Sequence, residues 1–492
     1  MSGAVLSLPV AVPLLAAAML VAMPRRRRLH LVTGVAVTGG ILLLGGAVLA
    51  TAVGGTVLTL DIGGWPPGFA ITLAADAFSA LMLTVSALLV LASLAYAAVA
   101  DEGGPLFTPL TLILSAGVYG AFLTADLFNL FVFVEVMLTP SYALLTMTGG
   151  GRGAAGRIYV TVSLLASMIF LAGVALVYSV TGTVNLGELA GAARHSTAAA
   201  LACSVVLLAL AAKAAVVPLH TWLPRTYPAA PAPVMVLFSG LLTKVGVYAI
   251  IRVYAVVFAG APQYRWVIMT AALLTMVIGI LGTIGEQTMR EILAFDMVSQ
   301  IGYILLGLAL FSTAGLAAAI FYLVQYVLVQ AALLVAAGTV ETSHGGGTLG
   351  KPSGLAHRDP LLAVAFMIPA SSLAGLPPLS GFIAKLSLIQ AAVAKNSYLA
   401  AAIATAVSFL TLLAMIKIWR GVFAGREAAA TARPGGRPHA LRAARPALIA
   451  PGLALAVPAI VLGIWAQPLF TAATAAADGL TSTAAYVQAV GR

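Results

Sequence analysis

Glu135, Lys213, Lys244 and Lys385 each interrupt a long apolar run. The runs are LFNLFVFVEVMLTPSY, VLLALAAKAAVVPLH, LFSGLLTKVGVYAIIR and LSGFIAKLSLIQ. An ionisable side chain at bilayer depth costs roughly 2.5–3.5 kcal/mol on insertion scales. Four of them in four separate segments therefore need a reason. A carboxylate that approaches a buried lysine favours its charged form, and one that withdraws disfavours it. A Glu/Lys pair that closes and opens is thus a proton switch, and Lys244 and Lys385 would extend it into a relay. One Glu–Lys pair locking two helices together would account for Glu135 and Lys213 but not for the other two lysines.

A second tier of polar residues could complete such a path. His220 follows Pro218 in a proline-broken stretch; it could pass protons between the halves of a relay or bond a carbonyl freed by the break. Tyr322, Tyr326 and Gln330 recur at four-residue spacing in FYLVQYVLVQAALL, with Gln325 beside them. None titrates near neutral pH, but they could order a chain of water. Asp296, in ILAFDMVSQIGY, adds an acid one turn before Gln300. Asp126 opens its span and reads as a helix cap. Arg252 and Lys417 lie near span ends and can snorkel to the interface.

The elements that must hold these residues follow from composition. Hydrophobic residues make up 62% of the 492, charged residues 8%, and mean hydropathy is +1.08. A soluble domain carries about 25% charged residues, so this chain must meet lipid. Fourteen segments are candidates to span, at roughly 5–23, 31–53, 75–99, 106–124, 127–148, 157–180, 199–218, 232–257, 266–285, 292–312, 315–340, 361–394, 397–420 and 447–470. Two proline-rich interruptions, Pro218 to Val234 and Ala374 to Phe382, fall beside Lys213 and Lys385. Broken helices placed alike in two halves point to an inverted repeat around an ion path. The expectation is an all-α, polytopic membrane protein of about fourteen transmembrane helices, with two inverted five-helix repeats and two broken helices. Its parts would be an N-terminal three-helix segment (1–105), a first repeat (106–257), a second repeat (258–420), and a basic cytoplasmic loop with a C-terminal transmembrane helix (421–492).

The net charge of +11 fits basic cytoplasmic loops rather than nucleic-acid binding. With the amino terminus outside, sixteen basic residues fall inside: Arg25 to Arg28, Arg152, Arg157, Arg225, Arg290, Lys351, Arg358, Arg420, Arg426, Arg433, Arg437, Arg442 and Arg445. Four fall outside: Arg194, Arg265, Lys395 and Arg492. That bias puts both termini outside. A single cysteine, Cys203, excludes an intrachain disulfide and a cysteine-held metal or iron–sulfur site. GGGTLGK, ending at Lys351, has phosphate-loop spacing but is followed by Pro352 rather than Ser or Thr. GGGRGAAGR, from Gly149, is a glycine-rich inside loop. No metal or cofactor site is expected.

Five motifs together carry a resemblance: DLFNLFVFVE (Asp126 to Glu135), PLHTWLP (Pro218 to Pro224), LLTKVGVYAI (Leu241 to Ile250), VSQIGY (Val298 to Tyr303) and PPLSGFIAKL (Pro377 to Leu386). They resemble the proton-conducting antiporter-like subunits shared by respiratory complex I and the Mrp sodium/proton antiporters, over roughly 60–420. DLFNLFVF and LLTKVGVYAI are most similar to the D-type branch of the Mrp subunits. The resemblance implies that Glu135 is the glutamate of the fifth helix and Lys213 its partner on the broken seventh. It makes Lys244 the central lysine of the eighth helix and Lys385 the terminal lysine of the broken twelfth. It also implies a hetero-oligomeric membrane complex in the cell membrane, exchanging H⁺ and Na⁺, with no redox cofactor in this chain. The alternatives are a proton-pumping subunit of a complex I-like oxidoreductase or membrane-bound hydrogenase, or a non-conducting structural subunit. The family often has histidine where this chain has Asp296, a His–His pair at Gln325–Tyr326, and lysine at Gln330. The stretch joining Lys244 to Lys385 would then rely on water.

Overall fold

A spanning segment in lipid must satisfy its own backbone groups, and the long apolar runs do so as helices. The computed structural model describes residues 2–23, 26–65, 70–102, 104–147, 153–349, 354–424 and 444–491. Its helices are α1 Leu8–Ala22, α2 Arg27–Ala52, α3 Ala77–Ala100, α4 Phe107–Leu123, α5 Leu127–Thr146, α6 Gly153–Thr181, α7 Ala192–His195, α8 Thr197–Lys213, α9 Trp222–Thr226, α10 Ala232–Gly240 and α11 Leu242–Val256. They continue as α12 Arg265–Gly282, α13 Met289–Leu310, α14 Thr313–His344, α15 Leu355–Arg358, α16 Pro360–Ala374, α17 Ser380–Ala394, α18 Tyr398–Ile418, α19 Pro446–Ile464, α20 Gln467–Thr481 and α21 Ala484–Val490. Among the described residues eleven helical stretches are long and apolar enough to cross a membrane, and four apolar helices, α4, α8, α16 and α17, are shorter.

Both expected interruptions are present. The segment read as 361–394 is two helices, α16 and α17, parted at Gly375, whose φ is +85°. The segment read as 199–218 ends as helix at Lys213; Ala215 takes a φ of +57° and the short α9 follows.

Two features lie outside the sequence expectation. A two-stranded antiparallel hairpin, β1 (Leu58–Asp61) and β2 (Thr72–Ala75), pairs Leu58 with Ala75 and Asp61 with Thr72. Its Leu73 bridges to Thr124 before α5, and beside that contact Asp126 bridges to Asn185 after α6. The chain after α19 does not end in one span to residue 470. It turns at Trp465 and adds α20 and α21. Most of the basic loop at 421–446, with Arg426, Arg433, Arg437 and Arg442, lies outside the described residues, as do Arg25, Arg152, Lys351 and Arg492.

Contacts sort the connections onto two faces. On one, Gly3 abuts Thr59, Gly187 abuts Gly491, the Gly191 and Ala193 amides reach the Val256 and Val257 carbonyls, and Arg265 donates to Gly260. On the other, Arg27 pairs with Asp101, Arg290 pairs with Glu341 and bonds the Ala230 carbonyl, and the Ala444 amide reaches Asp359. The run opening with α4 starts on the second face, and the run opening with α12 starts on the first. The two runs thread the molecule in opposite senses. Helices α10, α11, α13 and α14 form the interior, buried along nearly their whole length.

Candidate functional site

The breaks position two of the lysines. Lys213 is the last residue of α8, where unpaired carbonyls give the helix end a partial negative charge that favours a cation. The freed backbone groups are covered: the Trp222 indole donates to the Ala212 carbonyl at 2.9 Å, and the Val217 amide donates to Thr275 Oγ1 at 3.1 Å. Lys385 on α17 reaches across the second break. Its Nζ donates to the Leu373 carbonyl near the end of α16 at 2.8 Å and to Ser408 Oγ at 3.2 Å. Both breaks therefore hold a lysine side chain at the C-terminal end of a half-helix.

Glu135 and Lys213 do not touch as an ion pair. Ser167, from α6, stands between them. Its hydroxyl donates to Glu135 Oε1 and accepts from Lys213 Nζ at 2.8 Å. Lys213 also donates to the Ser163 carbonyl at 3.5 Å. A serine in an apolar helix carries no marker in one sequence, so its bridging role was not legible. A cavity of about 20 Å³ lies against Lys213, lined also by Tyr159, Trp222 and Leu242. That is room for about one water, and Leu242 is two residues from Lys244. Gly246 lets α11 come this close: a Cβ there would sit 3.0 Å from the Ala214 amide nitrogen.

Lys244 is fully buried, with Thr243 Oγ1 at 3.2 Å as its hydrogen-bond partner. Its Nζ lies 4.6 Å from the centroid of the Tyr326 ring. From there a ladder of stacked rings crosses to the second break. Tyr326 and Tyr322 have centroids 6.3 Å apart, Tyr322 and Tyr303 5.2 Å, and Lys385 Nζ stands 5.1 Å over Tyr303. Charged groups over aromatic faces are a recurring attraction. Each end of the ladder carries a lysine. Tyr303 was not singled out in the sequence, although VSQIGY contains it.

Hydrogen bonds fix how α13 meets α14. The Tyr322 hydroxyl donates to Gln300 Oε1, and Gln300 Nε2 donates to Asp296 Oδ1 at 2.7 Å. Gln330 Nε2 donates to the Leu293 carbonyl at 3.3 Å. With Tyr322 opposite Gln300 and Gln330 opposite Leu293, Tyr326 faces the level of Asp296. Asp296 Oδ2, the Tyr326 hydroxyl and Gln330 Oε1 are all buried without a hydrogen-bond partner. Such groups are satisfied by ordered water in a polar cavity. Gln325 points elsewhere, accepting from Ser380 Oγ at 3.4 Å at the second break; its Nε2 is also unpartnered.

The remaining candidates divide. His220 is half-buried at the first break, its Nδ1 without a partner, and no hydrogen bond joins it to Lys213 or Lys244. Asp126 caps α5, accepting from the Asn129 amide at 2.7 Å. Lys417 donates to the Thr283, Ile284 and Glu286 carbonyls just past the end of α12. Arg252 does not snorkel. It is 2% exposed and forms a forked pair with Asp76 at 2.5 and 2.7 Å. A buried guanidinium is held by such bidentate geometry, and the aromatic face of Tyr486 covers it at 4.7 Å. Among the described residues no group of His, Cys, Asp and Glu could hold a metal ion.

Comparison with known proteins bears on the same segments. A family model described as NADH:quinone oxidoreductase/Mrp antiporter, TM matches residues 124–411. The chain is 36% identical to the D-type Na(+)/H(+) antiporter subunit of Alkalihalophilus pseudofirmus, over 98% of each chain. It is 31% identical to the D-type Na(+)/H(+) antiporter subunit of Bacillus subtilis, again over 98% of each. Among solved structures, a chain of the Mrp complex from a Dietzia species superposes with a TM-score of 0.95 at 47% identity, covering 100% of this chain and 99% of that one. A chain of the membrane-bound sulfane sulfur reductase, an archaeal respiratory membrane complex, superposes with a TM-score of 0.87 at 26% identity, covering 99% of each.

Proposed function

We propose, from the premise that the chain belongs to the NADH:quinone oxidoreductase/Mrp antiporter transmembrane family, that its buried lysines carry protons. The chain is a multi-span membrane protein and a subunit of a multi-subunit Na⁺/H⁺ antiporter. It works alongside other antiporter subunits in a hetero-oligomeric complex. The observation that carries the relay is its continuity. Glu135 and Lys213 share the Ser167 hydroxyl, and a water-sized cavity lies between Lys213 and Leu242 of α11, the helix that carries Lys244. Three stacked tyrosines then run from Lys244 to Lys385. Lys213, Lys244 and Lys385 take up and release the proton. Glu135 sets the charge of Lys213 by approaching and withdrawing, and ordered water beside Tyr326, Gln330 and Asp296 carries it between the halves. The identity of 47% to the Mrp chain against 26% to the respiratory chain favours antiport over a redox-driven pump. Both termini are read as outside and the basic connections as cytoplasmic.

Lys385→Met in the complete complex tests the relay. Na⁺-dependent proton exchange in everted membrane vesicles is expected to disappear while the complex still assembles at normal amounts. Exchange at the normal rate in this variant would overturn it.

A further inference from the structure

Lys244 and Lys385 are both fully or almost fully buried, at 0% and 3% exposure. One carboxylate, Asp296, is tied by geometry to both: it is level with Tyr326, over whose ring Lys244 stands, and is bonded through Gln300 to Tyr322, which stacks on the Tyr303 ring beneath Lys385. It sits at 0% exposure on α13, level with Tyr326. Its Oδ1 is held by Gln300, and its Oδ2, like the Tyr326 hydroxyl and Gln330 Oε1, is buried without a hydrogen-bond partner. Ion pairs form elsewhere, at Arg27–Asp101, Arg252–Asp76, Arg290–Glu341 and His344–Asp359, and none joins Asp296 to Lys244 or Lys385. Asp296 is thus committed to neither lysine. The other titratable groups facing it from the packed helices are Tyr303, Tyr322 and Tyr326, all buried hydroxyls.

We infer that Asp296 is a shared counter-ion which makes protonation of Lys244 and of Lys385 mutually exclusive. One carboxylate offsets one ammonium. With Asp296 ionised and one lysine protonated, the chamber is neutral. A second proton arriving on the other lysine leaves one uncompensated positive charge in an apolar interior, a costly state. Release of the first proton restores neutrality. Each arrival on Lys244 therefore favours one departure from Lys385, and the reverse, with no net change in charge. The tyrosine ladder stands between the two lysines, and neither is ion-paired with Asp296. This role rests on the proposed relay and assigns to this chain a coupling device within it. It acts by position and charge, so Asp296 need not itself carry the proton.

The test uses the full complex in vesicles. Asp296→Asn keeps the shape and the Gln300 contact but removes the charge. Exchange is expected to fall at least about tenfold, which corresponds to about 1.4 kcal/mol, with assembly intact. The pH profile of the residual exchange is expected to move towards lower pH by about one unit or more, since no carboxylate now offsets the ammonium groups. Asp296→Glu is expected to restore most of the rate. An unchanged rate and pH profile in Asp296→Asn, with Lys385→Met inactive, would overturn the counter-ion role and leave the relay standing. Normal exchange in Lys385→Met would instead overturn the relay beneath it. If Asp296→Asn does not assemble, Gln300→Leu serves, because it frees the carboxylate without removing its charge. A displaced pH profile there supports the inference, and an unchanged one refutes it.

Discussion

A single hydroxyl decides whether Glu135 can act on Lys213. Ser167 donates to the carboxylate and accepts from the ammonium, so the two charges communicate through one oxygen rather than by contact. Ser167→Ala leaves both charges in place and removes that oxygen. A buried donor or acceptor left unmade costs about 1–3 kcal/mol. Exchange in vesicles is accordingly expected to fall by roughly tenfold or more, with assembly unaffected. The loss should not add to that of Glu135→Gln in the double variant. Full exchange in Ser167→Ala would mean that Glu135 acts through another route. The contrast with the sequence is instructive. The four charges were legible because each is expensive in an apolar run. Ser167 was not, because a hydroxyl in a membrane helix is cheap and common. Tyr322 and Tyr326 announced themselves by spacing, but spacing could not reveal that Tyr303 from another helix continues their stack. Arg252 misled for a related reason: its partner Asp76 lies 176 residues away, beyond the reach of any local pattern.

The breaks were legible as elements because proline and glycine mark them, and what closes them is a matter of packing. At the second break α17 begins directly against α16. A Cβ on Gly381 would lie 1.7 Å from the Ser372 carbonyl oxygen, while the Gly381 amide donates to Ser372 Oγ at 3.1 Å. Ser372 in turn meets Ser380, which donates to Gln325. Gly381→Ala must therefore push the two half-helices apart at the level of Lys385. Overpacking of this kind costs about 1–3 kcal/mol, and the melting temperature of the purified complex is expected to drop along with exchange. Gly39→Ala is the control, since nothing lies within 4 Å of a Cβ there; it should leave both unchanged. Equal stability of the two variants would show that the second break is looser than its contacts imply. The hairpin at Leu58–Asp61 and Thr72–Ala75 escaped the sequence reading for the opposite reason. Four-residue strands between spans give too short an alternation to stand out, and the bridge from Leu73 to Thr124 is long-range.

At the scale of the whole molecule, the alternation of apolar runs and basic connections was enough to order the helices, and the contacts sort those connections onto two faces. The C-terminal α20 and α21 were missed because α20 is short and a third polar, so hydropathy alone merges its start with the span before it. The face bearing the C-terminal helices carries Arg194, Arg265 and Lys395; the opposite face carries Arg26, Arg27, Arg28, Arg157, Arg225, Arg290, Arg358, Arg420 and Arg445. Nine against three among the described residues keeps the bias of the full sequence, and basic connections are retained on the cytoplasmic side. A direct measurement is available because the chain has one cysteine, Cys203, at 0% exposure, which leaves the native protein without a competing accessible thiol. Arg194 and Arg157 are both exposed and lie on opposite faces. Arg194→Cys is expected to react with a membrane-impermeant maleimide in intact cells. Arg157→Cys is expected to react only after the membrane is opened. The reverse pattern would invert the orientation, putting both termini in the cytoplasm and the basic face outside. The relay would survive that inversion, since its residues lie in the interior, but the side from which each lysine loads its proton would exchange.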